Sequence, residues 1–303
     1  MRLKIFLTGG SGFIGRNFIE QRSKKYTIHS PTHRKLDLKD TKAVDLYFKK
    51  HGPFDVVLHA ATLGGKRSEK GMPDVIEINL RIFFNIIRNA KHFKKIIHFG
   101  TGSEYDKSRD IKNIKETDFD KRVPADSFGF YKYVTAKFIE HSPIDIYHLR
   151  LFGVYGKYED YKVRLTSNLI CKYILKVPLT MIQNTLFDYL YIDDLVKVLD
   201  YFIERKPKYR FYNIGQGNKV SLLSIAQKIN SLDSCSMPIR IQKKGLNKEY
   251  TCNNKRFLNE MKDFRFTKID VGIRELYNWY RKNWKNINTE SIKADFLQQK
   301  EKF

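Results

Sequence analysis

Tyr133 and Lys137 stand four residues apart in the stretch SFGFYKYVTAKFIE, a spacing that sets a phenol and an ammonium on one face of a helix. A lysine cation beside a phenol favours the phenolate and lowers its pKa, which makes Tyr133 a candidate general acid/base with Lys137 as its tuning charge. Tyr131 competes for the role, but the residue four further on is Thr135 in place of a lysine. Upstream, Thr101 and Ser103 lie in GTGSEY directly after the apolar run KIIHF. Either hydroxyl would there hydrogen-bond a substrate hydroxyl or carbonyl at the end of a strand.

The opening stretch MRLKIFLTGGSGFIG supplies a partner for such chemistry. The apolar run Ile5 to Leu7 leads into G-x-x-G-x-x-G, and the amphipathic segment Phe13 to Gln21 follows, so a strand, a tight turn and a helix start are predicted. Gly9 permits the turn, Gly12 lets backbone approach a pyrophosphate, and Gly15 lets the helix pack against the strand, with Phe13 and Ile14 opening the helix. This is the pattern of a dinucleotide cradle.

Placing these groups in one site requires a sheet. Short strands are predicted at Tyr26 to Ser30, Asp55 to His59, Lys95 to Phe99, Asp145 to Phe152 and Phe211 to Ile214, with helices at Thr41 to Lys50 and Val75 to Phe93 between them. The alternation, with connections long enough for right-handed crossovers, implies an α/β fold built on a doubly wound parallel sheet. After Phe152 the pattern changes, with helices expected at Tyr158 to Val177 and Val220 to Ile229 and a lysine-rich portion that includes Trp279 and Trp284. Residues 1–156 and 187–216 are therefore assigned to the dinucleotide-binding domain, and 157–186 and 217–303 to a smaller, discontinuous substrate domain, with a frayed helix expected from Asn286 onward.

A length of 303 residues, 42% hydrophobic and 30% charged, is that of an ordinary soluble globular protein. There is no run of eighteen apolar residues, and the first strand ends in glycines where a cleavage site would be needed, so neither a membrane span nor a signal peptide is expected. Cys171, Cys235 and Cys252 lack metal-like spacing, so no metal is expected and a reducing cytoplasm is the natural setting. The net charge of +24 attracts polyanions, yet lysine is spread along the chain without a basic block, and no nucleic-acid partner is expected. A phosphate-bearing substrate would profit from the same field.

Taken together, the motifs resemble the extended short-chain dehydrogenase/reductase family, in its group of nucleotide-sugar epimerases, dehydratases and reductases. The resemblance rests on TGGSGFIG at Thr8 to Gly15, LDLKD at Leu36 to Asp40, HAAT at His59 to Thr62, Asn79, FGTGSEY at Phe99 to Tyr105, YVTAK at Tyr133 to Lys137, RLFGVYG at Arg150 to Gly156, DYLYIDD at Asp188 to Asp194 and YNIGQG at Tyr212 to Gly217. It implies a Rossmann sheet and selects Thr101, four residues before Tyr105, as the catalytic hydroxyl. It also implies that Asp37 and Leu38 line the adenine, that His59, Ala60, Ala61 and Asn79 line the cofactor, and that Asn168 lies near the substrate diphosphate. Homodimers formed through the helix of the catalytic tyrosine are frequent in the family.

The departures narrow the reading. Where the family's 4,6-dehydratases carry Thr-Asp-Glu, this chain has Thr101, Gly102 and Ser103, which disfavours dehydration. Where the fucose-synthase branch has a Cys and a His for epimerisation, this chain offers Ser103 and Ser167, neither suited to removing a carbon acid's proton. Phe187 replaces an arginine common before the DYLYIDD-like segment, so Lys244 or Lys248 is expected to meet the diphosphate. After the second strand comes Ser30-Pro31-Thr32-His33-Arg34-Lys35, with no acid before Asp37 and cations suited to a 2′-phosphate. The expected activity is NADPH-dependent reduction of a 4-keto nucleotide-activated sugar, with Tyr133, Lys137 and Thr101 catalytic and Ser103, Asn168 and Lys248 on the substrate. A C4 epimerase or dehydrogenase with retained NAD is the alternative, and a non-catalytic dinucleotide sensor a further one.

Overall fold

A computed structural model describes residues 2–64 and 72–293. The first half of the chain runs β1 (Lys4–Thr8), α1 (Phe13–Arg22), β2 (Thr27–His29), α2 (Thr41–His51), β3 (Phe54–His59), α3 (Val75–Ile87), β4 (Phe93–Thr101), β5 (Ile111–Ile114), α4 (Ser127–His141) and β6 (Ile146–Leu151). It continues through β7 (Val154–Tyr155), α5 (Leu165–Ile174), β8 (Leu179–Asn184), β9 (Leu186–Asp188), β10 (Leu190–Tyr191) and α6 (Ile192–Glu204). The last part comprises β11 (Phe211–Ile214), β12 (Lys219–Ser221), α7 (Leu222–Asn230), β13 (Ile239–Leu246), β14 (Tyr250–Cys252), α8 (Lys255–Glu260) and α9 (Ile269–Lys282).

Six strands form one parallel sheet in the order β2-β1-β3-β4-β6-β11. Their apolar runs are continuous because both faces are covered, as parallel sheets require. Alternation along each strand divides the core in two. Ile5, Leu7, Val56, Leu58, Ile97 and Leu149 pack with Phe18 of α1 and Leu195 and Leu199 of α6. Phe6, Val57, Ile96 and Ile146 face the other way, onto Phe48 of α2, Phe83 of α3 and Ile139 of α4. The sheet is thus wound on both faces, as its strand and helix alternation predicts. Chain order reverses between β1 and β3, and the crevice at their carboxyl ends is the position where open α/β sheets bind ligands.

Beyond this sheet, β12, β9, β14 and β5 form a second sheet, while β8 pairs in parallel with β13 under α5 and α7. Two expected helices are shorter than predicted. The segment from Val75 leaves α-helix at Ile87 and makes a 3-10 turn over Ala90–His92, where the Asn89 amide turns back to Asp45 and the Asn85 carbonyl. The helix expected from Tyr158 begins at Leu165, because Tyr158 has a φ of +69° and the chain turns at Asp160 before entering α5. Of the expected C-terminal helix, 294–303 lie outside the described residues. Among the described residues no helix is long and apolar enough to cross a membrane.

Candidate active site

The glycine turn is built by close approach. Gly9 has a φ of +71°, and a Cβ there would lie 2.8 Å from the Ala61 backbone nitrogen. A Cβ on Gly15 would lie 2.3 Å from the Gly9 carbonyl oxygen, so the first turn of α1 packs directly on the loop. Gly12 is the N-cap of α1 and brings no capping side chain, which leaves the helix start, with Phe13 and Ile14, to a ligand's anionic group. Beside it the Thr8 hydroxyl accepts the Ala61 N–H at 3.1 Å and lies 2.8 Å from His59 Nδ1. Ala60 and Ala61 thereby form the wall opposite the glycines. Asn79 lies one layer out: its amide accepts the Leu63 N–H at 2.9 Å and donates to the Leu63 and Val75 carbonyls, holding the loop after β3 to α3.

The loop after β2 runs beside the same turn, since a Cβ on Gly10 would overlap the Ser30 hydroxyl. Arg34 is exposed on this loop and makes no ion pair among the described residues. Asp37 folds onto its own loop, accepting the Lys39 N–H, and the Leu38 carbonyl accepts from Asn85. Asp40 then caps α2 through the Ala43 N–H.

At the end of β4, Thr101 starts a 3-10 turn over Gly102–Tyr105. Its N–H donates to Glu104 at 2.9 Å, and its hydroxyl lies 3.2 Å from the Tyr250 hydroxyl of β14. Below the turn, His59, His98 and His148 sit at matched register on β3, β4 and β6. His98 and His148 face each other through their Nδ1 atoms at 2.9 Å, and His148 Nε2 meets Glu104 at 2.9 Å. Ionised Glu104 only accepts, so the Nε2 proton is on His148 and His98 donates to it. Arg150 Nε donates to the other Glu104 oxygen at 2.7 Å. Burial alone would raise the Glu104 pKa, but His148 and Arg150 outweigh it and hold it at about 2.

The histidine row predicts acid sensitivity. Burial, reinforced by the charge of Lys132, pushes His59 down to about 3. An unfolded histidine titrates near 6.5, so between those values only the unfolded state takes the proton and stability is lost as pH falls. His59 alone is expected to remove about 2 kcal/mol between pH 7 and pH 5. His98, pushed well below its usual range by burial, acts in the same direction. Urea midpoints at the two pH values measure this, and a His59→Asn variant should lose part of the difference; identical midpoints would contradict a neutral row.

The helix α4 corrects the expected catalytic pair. Its buried face carries Gly129, Tyr131, Lys132, Thr135, Ala136 and Ile139. Tyr133 and Lys137 lie on the other side, where the Tyr133 hydroxyl donates to Asp120 and Lys137 Nζ donates to Asp120 at 2.9 Å and Glu140 at 2.6 Å. The Asp120 hydrogen bond raises the Tyr133 pKa, opposite to the lowering expected from Lys137. Neither residue is brought to Thr101. The inward ammonium is Lys132, which donates to the Phe99 carbonyl two residues before Thr101 and is lowered to about 8 by burial. Four residues before it on the helix stands the half-buried Phe128, so the spacing about Lys132 reads Phe-x-x-x-Lys. Tyr131 hydrogen-bonds Thr62, three residues after the end of β3.

The expected substrate groups are dispersed. Ser103 is buried in the turn under Gly129, whose Cβ would lie 2.9 Å from the Ser103 carbonyl oxygen. Asn168 spends its amide on the Tyr161 and Lys162 carbonyls, and Ser167 donates to buried Glu159 at 2.8 Å. Lys248 donates to the Ser108 carbonyl, and Lys244 is exposed on β13. Lys132, Tyr250 and the Glu104 cluster escaped the sequence reading. For Lys132 a signal existed, because Gly129, Ala136 and Ile139 share its helical face.

A glycine turn at the switch point of a doubly wound sheet, with an ammonium and two hydroxyls at neighbouring strand ends, defines a dinucleotide-binding oxidoreductase of the α/β class. Residues 5–215 match the NAD dependent epimerase/dehydratase family, and the chain belongs to it. It is 22% identical to GDP-L-colitose synthase of Yersinia pseudotuberculosis over 73% of this chain and 79% of that one. It is also 22% identical to GDP-L-fucose synthase 1 of Arabidopsis thaliana, over 92% and 94% of the two chains. Among solved structures, the GDP-mannoheptose C4 reductase of Campylobacter jejuni with NADP bound superposes with a TM-score of 0.77, at 21% identity over 92% of this chain and 98% of that one.

Proposed function

We propose that this protein reduces a 4-keto nucleotide-activated sugar with NADPH, in the synthesis of a deoxy- or heptose-type precursor of a surface polysaccharide. The observation that carries the reading is the convergence, at the carboxyl ends of β1, β3 and β4, of the glycine turn, the buried Lys132 ammonium and the Thr101 hydroxyl. The names of the colitose and fucose synthases and of the heptose reductase support the substrate class. Gly9, Gly12 and Gly15 would hold the pyrophosphate against the start of α1, Ala60, Ala61 and His59 would wall the crevice, Asn79 would fix that wall, and Asp37 and Leu38 would border the adenine. When bound, the nicotinamide supplies a hydride. Lys132 takes the position assigned from sequence to Lys137, and Thr101 orients the substrate oxygen. Asn168 and Lys248 belong to the substrate side only if their present backbone partners are released. A cytoplasmic homodimer through α3 and α4 is part of the same reading, supported by Phe84, 39% exposed beside Phe138.

The 2′-phosphate preference rests on exposed Arg34 and on the lack of an acid between β2 and Asp37. NADPH is expected to bind ten- to thirtyfold more tightly than NADH, about 1 to 2 kcal/mol, and Arg34→Glu to abolish the difference. Fluorescence titration of both cofactors at low salt, followed by turnover on a panel of 4-keto nucleotide sugars, is the test. Equal affinities, or tightly retained NAD in the purified protein, would favour the C4 epimerase. One observation favours a non-catalytic dinucleotide sensor: four residues before the inward Lys132 stands Phe128, where the motif calls for a tyrosine. NADPH binding without reduction of any sugar in the panel would establish that reading.

A further inference from the structure

A carbonyl that receives a hydride at carbon becomes an alkoxide and needs one proton at oxygen. On α4, Tyr133 is held at Asp120 and the buried Tyr131 hydrogen-bonds Thr62, so neither phenol of the helix is hydrogen-bonded to Thr101. A phenol arrives instead from the C-terminal part of the chain. Tyr250 of β14 stacks on Phe187 at 4.9 Å and packs against Phe152 at 4.9 Å, and its hydroxyl lies 3.2 Å from Thr101 Oγ1. Gly102 makes room for it: a Cβ there would lie 2.6 Å from the Tyr250 hydroxyl and 2.5 Å from the Phe152 ring. The glycine that replaces an acidic residue of the dehydratase pattern is thus the space this phenol occupies. Thr101 and Tyr250 are both half-buried, the pair stands at the carboxyl end of β4, and its aromatic surroundings keep the phenol in place.

We propose that Tyr250 is the proton source of the reduction, acting through Thr101; the proposal rests on the reading of function above. As the hydride adds to the carbonyl carbon, the C=O π pair moves onto oxygen, which takes the Thr101 hydroxyl proton. Thr101 Oγ1 takes the phenolic proton of Tyr250, and the phenolate takes one from solvent. The sum is C=O plus NADPH plus one proton, giving the alcohol and NADP. Burial pushes the Tyr250 phenol up to about 12, only partly offset by hydrogen bonds from Thr101 and Ser103. A phenol so placed is protonated at neutral pH and well below an alkoxide in basicity, which suits it to protonating an alkoxide and makes it a poor base for the reverse oxidation.

The test compares wild-type protein, Tyr250→Phe, Thr101→Val, their double variant and Tyr131→Phe. NADPH affinity and melting temperature are measured for each, together with kcat against pH from 6 to 7.5 on the 4-keto panel. Tyr250→Phe keeps the stacked ring and should fold and bind NADPH as wild type, with kcat lower by about 10²- to 10⁴-fold. Its kcat should rise as pH falls, because solvent must then supply the proton, whereas wild type and Tyr131→Phe stay flat. Thr101→Val should lose a similar factor and the double variant no more, the non-additivity of two members of one path. An active wild type with Tyr250→Phe within tenfold of it and a flat profile would overturn the proposal alone, as would a loss carried by Tyr131→Phe. A wild type that binds NADPH and reduces nothing would overturn the reading of function, and the proposal with it.

Discussion

Glu104→Leu is expected to destabilise the protein by about 3 to 5 kcal/mol, the cost of leaving a buried charge without its partner. Glu104 and Arg150 are 0% and 1% exposed at the side chain, and Arg150 is enclosed by the rings of Phe119, Tyr105 and Phe211. Its second terminal nitrogen already lacks a partner among the described residues. Without the carboxylate, the guanidinium has no counter-charge and cannot shed its proton. Urea denaturation should show the loss, and the double variant Glu104→Leu with Arg150→Met should recover much of it by exchanging the ion pair for apolar packing. A double variant as unstable as the single one would mean that the Glu104 bonds to His148 and the Thr101 N–H, not the charge, carry the effect.

Lys132→Met is expected to lower turnover by about 10²- to 10³-fold and to weaken NADPH binding, while Lys137→Met changes either by less than about threefold. Methionine keeps most of the aliphatic stem and removes the burial cost of the ammonium, so melting temperature should hold. The same assignment predicts that wild-type turnover falls as pH rises through about 8, where Lys132 gives up its proton. Steady-state rates and cofactor titration on both variants decide it. A large loss in Lys137→Met with an active Lys132→Met would restore the outward pair and reverse the correction.

Much of the scaffold was readable from sequence because buried parallel strands leave apolar runs that interruptions bound sharply. KIFLT, FDVVLH and FYNI stand in the structure almost as expected. Helix ends were less legible. No Gly or Pro interrupts Val75 to Phe93, and the side-chain bonds of Asn89 that stop the helix involve Asp45, far away in sequence. At the site, the register of α4 was the part not legible. Tyr133 and Lys137 match the motif's spacing, but spacing alone does not say which face of α4 meets the sheet. Lys137 has Glu140 one turn on as an ion partner, the mark of a solvated face, whereas Lys132 shares its side with Gly129 and Ala136. Tyr250 had no local mark at all, since its meaning depends on Phe152, Phe187 and Gly102, brought to it by the pairing of β14 with β5 and β9.

That pairing also fixes when the protein can become competent during its synthesis. The glycine turn and the Ala61 wall are complete within the first strands, and the last strand of the main sheet ends at Ile214. Tyr250 reaches Thr101 across 149 residues, after the sheet it docks against has been made. Because distant contacts of this kind form late, the glycine turn can form in a nascent chain before the hydroxyl pair is complete. The glycine turn and the Thr101–Tyr250 pair are thus acquired in succession, by different stretches of one polypeptide.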